Sequence, residues 1–298
     1  MKIIDPHIHL FNIKTGDYHW LKEGNAPFWR DKAVINKNFA EQDLTLTSPL
    51  TLAAFVHIEA GFDNNQPWRE LEALKQSCKK TYKAIANIDF TLSSDEFTQT
   101  LTTLAKFRSF IGVRHILDEQ AQRLLTKQQV LTNIKMLNTL AININQNLVF
   151  ETQLALSDTA AIDSLCKVVS ANTKLHFIIN HAGFPPANIN TTAWQHWQSN
   201  LAKLAAYPNV AIKCSGWEMT NRSYTQEWLN ENLTLVYTIF GAKKMMLASN
   251  FPLCLFSKKS YQDYWQTLIT GSFFQTLTAQ EKSALSYDNA LYWYSLNH

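Results

Sequence analysis

The chain has 298 residues, of which 46% are hydrophobic, enough to bury a sizeable core. Its 27 Lys and Arg against 24 Asp and Glu leave a formal charge of +3, too little to point to nucleic acid or a membrane surface as partner. No apolar run approaches the roughly 18–20 residues of a spanning helix. The four cysteines, Cys78, Cys166, Cys214 and Cys254, form no Cys-x-x-Cys pair and read as reduced thiols of a cytoplasmic protein.

A short apolar run followed by a polar helical stretch recurs eight times. Met1-Lys2 leads straight into the first run, Lys2–Leu10, without a leader-like segment. A connection from Phe11 to Leu50 follows. It carries Tyr18-His19-Trp20-Leu21 and Pro27-Phe28-Trp29-Arg30, an aromatic loop expected to cover a site and select its ligand. The second run is Leu52–Glu59, then a helix over about 67–80. The third is Lys83–Phe90, then a helix opened by Ser93-Ser94-Asp95-Glu96, a cap with acidic first-turn residues. The fourth is Phe110–Leu117, followed by a helix over about 127–142. The fifth is Asn147–Gln153, with Ser157 expected to cap a helix running to about 171. The sixth is Lys174–Gly183, the seventh Asn209–Gly216 and the eighth Lys244–Asn250, with helices over about 192–206 and 225–240. Two helices, about 260–270 and 278–296, end the chain.

Eight strands alternating with helices imply a parallel sheet with right-handed crossovers, and eight is the number that closes a single (β/α)8 TIM barrel. One domain over residues 1–298 is expected, its mouth covered by the loop at about 11–50. A doubly wound sheet would carry a glycine-rich phosphate loop after its first strand, where this chain has His9-Leu10-Phe11-Asn12 and only eight glycines in all.

In such barrels the site forms at the C-terminal ends of the strands. Strand one ends in His7 and His9, one residue apart and so expected on one face. Strand two ends in His57 and Glu59, with the same expectation. Strand four offers Arg114, strand five Glu151 and Gln153, strand six Asn180 and His181, strand seven Lys213 and Ser215, and strand eight Asn250. Each polar group buried without a partner costs about 1–3 kcal/mol. A whole ring of them therefore argues for a site rather than for packing.

These residues carry a resemblance. Asp5-Pro6-His7-Ile8-His9-Leu10-Phe11 resembles the opening Asp-x-His-x-His-x-Phe/Trp of the amidohydrolase superfamily, in the branch of the sugar-acid lactonases and 2-pyrone-4,6-dicarboxylate lactonase. Tyr18-His19-Trp20-Leu21, Val56-His57-Ile58-Glu59-Ala60 and Gly112-Val113-Arg114 resemble further motifs of that branch. So do Asn180-His181-Ala182-Gly183-Phe184-Pro185, Asn209–Gly216 and Met246–Pro252, in the same order. The resemblance implies a hydrolase in which water attacks a small carboxylated or polyhydroxylated lactone at a carbonyl polarised by histidines. It gives His7, His9 and His181 as catalytic residues. These three could also ligate one divalent metal, zinc by donor type, while metal-free action stands equally open. Arg114, Lys213, Tyr18, Trp20 and Glu151 are the implied substrate contacts, Arg114 as a planar carboxylate clamp and Lys213 as a point charge. The substrate is expected to be a small anionic or polyhydroxylated molecule, and a homo-oligomer is left open.

One position departs from the pattern. The strand-eight aspartate, general base of the resembling enzymes, is Asn250 here, and an amide has no useful basicity. Glu59 is then the first candidate for a substitute base, with a salt bridge to Arg114 or Lys213 as its structural alternative. A decarboxylase of the same superfamily and a barrel that binds a small acid without catalysis are the competing readings.

Overall fold

In the computed structural model, which describes residues 1–296, all eight apolar runs form strands. They are β1 Lys2–Ile8, β2 Thr51–Ile58, β3 Thr81–Asn87, β4 Phe110–Arg114, β5 Leu148–Thr152, β6 Leu175–Ile179, β7 Val210–Cys214 and β8 Met245–Leu247. They pair in sequence order, every pair parallel. A bridge between Ile8 and Phe251 brings the end of β1 to the segment after β8, and the His9 amide donates to the Phe251 carbonyl at 2.7 Å. The fold is a (β/α)8 barrel, as the alternation of elements predicts.

Both faces of each strand are buried, which is why the strands read as nearly unbroken apolar runs. Ile4, Val56, Ile85, Ile111, Val149, Ile178, Ala211 and Met246 cluster in the barrel interior, one from each strand. Phe55, Ala84, Val113, Phe150, Phe177, Ile212 and Leu247 belong to the separate core between the strands and the helices around them. Those helices are α1 Trp68–Ser77, α2 Ser94–Leu104, α3 Ala121–Thr126, α4 Gln128–Asn143, α5 Thr159–Ala171, α6 Thr192–Ala205, α7 Trp217–Thr220, α8 Gln226–Phe240 and α9 Tyr261–Thr270. None of the described helices is long and apolar enough to cross a membrane.

Ser93 caps α2 as its sequence predicts: its hydroxyl accepts from the Glu96 amide, and the Glu96 carboxylate accepts from the Ser93 amide. The cap of α5 lies one residue later than expected. Asp158, not Ser157, accepts from the Ala161 amide at 3.1 Å. The expected helix at 278–296 is divided: Ala279–Ser283 is α-helical, Ala284–Asp288 forms a wider π turn, and Asn289–Trp293 resumes the α-helix.

That last segment plugs the N-terminal end of the barrel. Ala290, Trp293, Tyr294 and Leu296 join the interior cluster, and the Asn289 side chain donates to the Met245 carbonyl at 2.7 Å. The Tyr294 hydroxyl donates to Glu151 Oε1 inside the barrel. Glu151 Oε2 lies 2.7 Å from Lys213 Nζ, and both side chains are fully buried.

Breaking a buried ion pair on one side strands the remaining charge, at a cost of roughly 3–5 kcal/mol. Lys213→Met is therefore expected to lose about that much unfolding free energy in urea, followed by tryptophan fluorescence. The double variant Lys213→Met/Glu151→Gln should lose clearly less, and equal losses would show that the pair is not coupled.

Candidate active site

At the C-terminal end of the barrel the first strand brings two imidazoles together. The pairing register of β1 shifts between Asp5 and Ile8, around Pro6, and His7 Nε2 and His9 Nε2 come within 3.1 Å. Their protonation follows from their neighbours. His9 Nδ1 faces two carbonyl oxygens, of Ile58 at 2.8 Å and Glu59 at 3.2 Å, so it must carry its proton. In neutral His9, Nε2 is then the acceptor. His7 Nε2 donates to it, and His7 Nδ1, which is buried and without a protein partner, keeps its lone pair. Burial is the main reason that both rings ionise well below the usual histidine range, helped at His7 by the Lys213 charge and at His9 by that of Arg114. Both are neutral near pH 7.

His181 joins them from the end of β6. Its ring centroid lies 4.7 Å from that of His7, and its Nδ1 lies 3.1 Å from Ser215 Oγ, just beyond β7. It too titrates well below its ordinary value, through burial first and then the charges of Lys213 and Arg114. The backbone here is unusual, with His181, Ala182 and Phe184 at φ of 55°, 51° and 53°. Such left-handed residues cost free energy and persist only where the surroundings enforce them. The Trp197 indole holds the Ala182 carbonyl at 2.8 Å. Gly216, at φ +68°, packs so tightly that a Cβ would lie 2.3 Å from His181 Nδ1, so no other residue fits.

Arg114 and Glu59 form a tight pair. Arg114 Nε donates to Glu59 Oε1 at 2.7 Å, Nη2 donates to the Glu59 carbonyl at 2.9 Å, and Nη1 donates to Gln153 Oε1 at 3.2 Å. The salt-bridge alternative for Glu59 is thus the one observed. His57 does not share its face, contrary to the alternation argument. Regular strand geometry ends at Ile58, and His57 points outward, with Nε2 3.0 Å from Glu70 Oε1 on α1.

The remaining candidates lie deeper or to the side. Lys213, with its pKa lowered by burial to about 8, sits against Glu151 and donates to the Pro6 carbonyl at 3.3 Å. It forms part of the floor beneath His7, as does Glu151. Tyr18 is buried, its hydroxyl accepting from the Asn12 amide at 3.0 Å, and Trp20 donates to the Ala60 carbonyl at 2.7 Å. These two aromatics pack on Phe11 and, through Trp20, on Trp29. The long loop also reaches across to the far side of the mouth, where Arg222 pairs with Asp31 at 2.7 Å and stacks on Trp29 and Phe256.

Asn250, also left-handed at φ 59°, donates through Nδ2 to Glu218 Oε1 at 2.6 Å. Sequence reasoning passed over Glu218, because it lies beyond the strand-seven motif, on the short helix α7. The signal available was an acid three residues after Ser215, just past a glycine turn.

The donor set bears directly on a metal. His7 Nε2 and His9 Nε2 converge, and the His181 ring lies against His7 with its Nδ1 engaged by Ser215, but the β8 position that would supply a carboxylate supplies an amide. Among the described residues, no group of three or more His, Cys, Asp and Glu is placed to hold an ion. Catalytic zinc ordinarily takes three protein ligands, and the residues present do not complete that set.

A sequence model of the family described as Amidohydrolase matches residues 4–296. The y4mH protein of Sinorhizobium fredii, itself uncharacterised, is 28% identical over 98% of both chains. An L-fucono-1,5-lactonase of Burkholderia multivorans is 25% identical over 98% of this chain and 96% of its own. A solved amidohydrolase from Burkholderia multivorans with bound zinc superposes with a TM-score of 0.78 over 99% of each chain, at 20% identity. With the family match spanning nearly the whole barrel, the chain belongs to the amidohydrolase family and is an enzyme of that hydrolase class.

Proposed function

We propose that this enzyme hydrolyses a small lactone, the internal ester of a polyhydroxylated or carboxylated acid. The observation that carries the reading is the convergence of three neutral imidazoles, His7, His9 and His181, at the barrel mouth above a buried lysine. A relative named as an L-fucono-1,5-lactonase, aligned over nearly its full length, supports the substrate class.

The lactone carbonyl is placed against the imidazole cluster. With the Ser215 hydroxyl donating to His181 Nδ1, His181 Nε2 carries its proton and serves as a donor to the carbonyl oxygen. Water adds to the carbonyl carbon. The negative charge that develops on oxygen is met by that N–H and by the Lys213 field from the floor. Collapse breaks the ring C–O bond, and the proton given up by the adding water passes to the released alkoxide, which leaves the hydroxy acid. Arg114, held by Glu59 and Gln153, borders the same space and orients a carboxylate or hydroxyl of the substrate. No step runs through a metal, since the donor set is incomplete.

The test is hydrolysis of aldono-1,5-lactones, L-fucono-1,5-lactone among them, followed by acid release against the uncatalysed rate. Loss of a positioned proton donor costs about 10²–10⁴-fold, so His181→Ala should lower kcat by that much. Full activity in His181→Ala would overturn the site assignment. Wild-type activity is also expected to survive dialysis against a chelator, with substoichiometric zinc by elemental analysis. Loss of activity restored by zinc would show that the imidazoles hold a metal after all.

A further inference from the structure

Five acidic side chains are buried among the described residues: Asp5, Glu59, Glu70, Glu151 and Glu218. Four are committed. Asp5 accepts from two backbone amides and a tyrosine, Glu59 pairs with Arg114, Glu70 with His57, and Glu151 with Lys213. Glu218 differs. It is fully buried, and the side chain that meets its carboxylate is an amide, Asn250 Nδ2 at 2.6 Å. Its second oxygen, Oε2, has no partner, and neither has Asn250 Oδ1. The pair thus presents two buried acceptors with nothing to receive. Its location is fixed on both sides. Asn250 follows β8, where the resembling motif carries aspartate, and Glu218 lies two residues beyond Gly216, whose backbone abuts the His181 ring.

We propose that Glu218 is the general base of this enzyme, with Asn250 holding the attacking water beside it, so that the pair takes over the role of a single strand-eight aspartate. The inference rests on the lactonase reading for its substrate. Water donates one hydrogen to Asn250 Oδ1 and the other to Glu218 Oε2. As the water oxygen bonds to the carbonyl carbon, Glu218 takes that proton and becomes neutral. When the ring C–O bond breaks, the same proton passes to the leaving oxygen, and the carboxylate is regenerated. No oxidant or other co-reactant is needed.

The surroundings suit a proton acceptor near neutral pH. Burial pushes Glu218 up from the ordinary range to about 7, against the hydrogen bond from Asn250 and the charge of Arg222. Arg222 donates to the Glu218 backbone carbonyl and is itself shared with Asp31. The other titratable groups facing Glu218 are Tyr224, Cys254 and Tyr264, all pushed upward by burial and therefore neutral. A base poised near the working pH is the most effective kind.

Because the folded-state pKa lies above the unfolded value, ionised Glu218 costs the fold stability. That cost is fully present above about pH 7 and vanishes below about pH 4.5. Glu218→Gln should therefore melt higher than wild type at pH 8 and converge with it as the pH falls toward 4.5. This provides the folding control. On the aldono-lactone that the wild type opens, Glu218→Gln is expected to lower kcat by about 100-fold or more with KM within about threefold. The acid limb of the wild-type pH profile, near 7, should disappear. Exchanging the two groups in Glu218→Gln/Asn250→Asp should recover at least about tenfold of the lost kcat, because a carboxylate and an amide again share the water.

A folded Glu218→Gln that keeps kcat within threefold and retains the acid limb would overturn the proposal. If the wild type opens no lactone, the functional reading fails, and Glu218 is judged separately by calorimetry of an aldonate in buffers of different ionisation enthalpy. Proton uptake on binding that is absent in Glu218→Gln supports the assignment, and uptake that is absent in the wild type or unchanged in the variant refutes it.

Discussion

The arrangement of this site depends on one buried carboxylate. Asp5 receives the amide of His7 at 3.2 Å, the amide of Ser249 at 3.1 Å and the hydroxyl of Tyr261 at 3.0 Å. These donors come from β1, from the segment after β8 and from α9. The carboxylate thus clasps the first and last strands where the barrel closes and sets the spacing between His7 and Asn250. Burial raises its pKa to about 6 in spite of the three bonds, so desolvation outweighs them. The strained residues at the mouth, His181 and Asn250 among them, can be held because the frame around them is closed.

Charge is arranged by depth. Glu151 and Lys213 are fully buried and pair with each other in the floor, with Tyr294 supplying a further donor. Above them lie the uncharged histidines, and beside them the Glu59–Arg114 pair. A neutral imidazole can donate from one nitrogen and accept at the other, which an imidazolium cannot. The positive charges of Lys213 and Arg114 help to keep the rings in that form.

Much of the barrel was legible in the sequence because strands buried on both faces leave unbroken apolar runs, and eight of these alternate with amphipathic stretches. Strand ends were legible to within a few residues, and with them His7, His9 and His181. Face assignment failed where regularity fails. His57 and Glu59 part company because the strand ends between them. Lys213 and Glu151 were recognised as strand-end groups but lie in the floor, since sequence gives the parity of a side chain and not its depth. Glu218 was invisible to a reading based on strand ends. It is carried by a four-residue helix, and its importance comes from Asn250, 32 positions away in the chain.

The plug formed by the last helical segment has a consequence for the order of assembly. The floor of the mouth is finished by Tyr294, 143 positions beyond the Glu151 that it supports. Contacts of such sequence separation form late and slow the folding of a chain. Until Tyr294 arrives, Glu151 lacks one of its donors and the inward faces of β1 and β8 lack their cover. The interior of the barrel is therefore completed only when this segment docks.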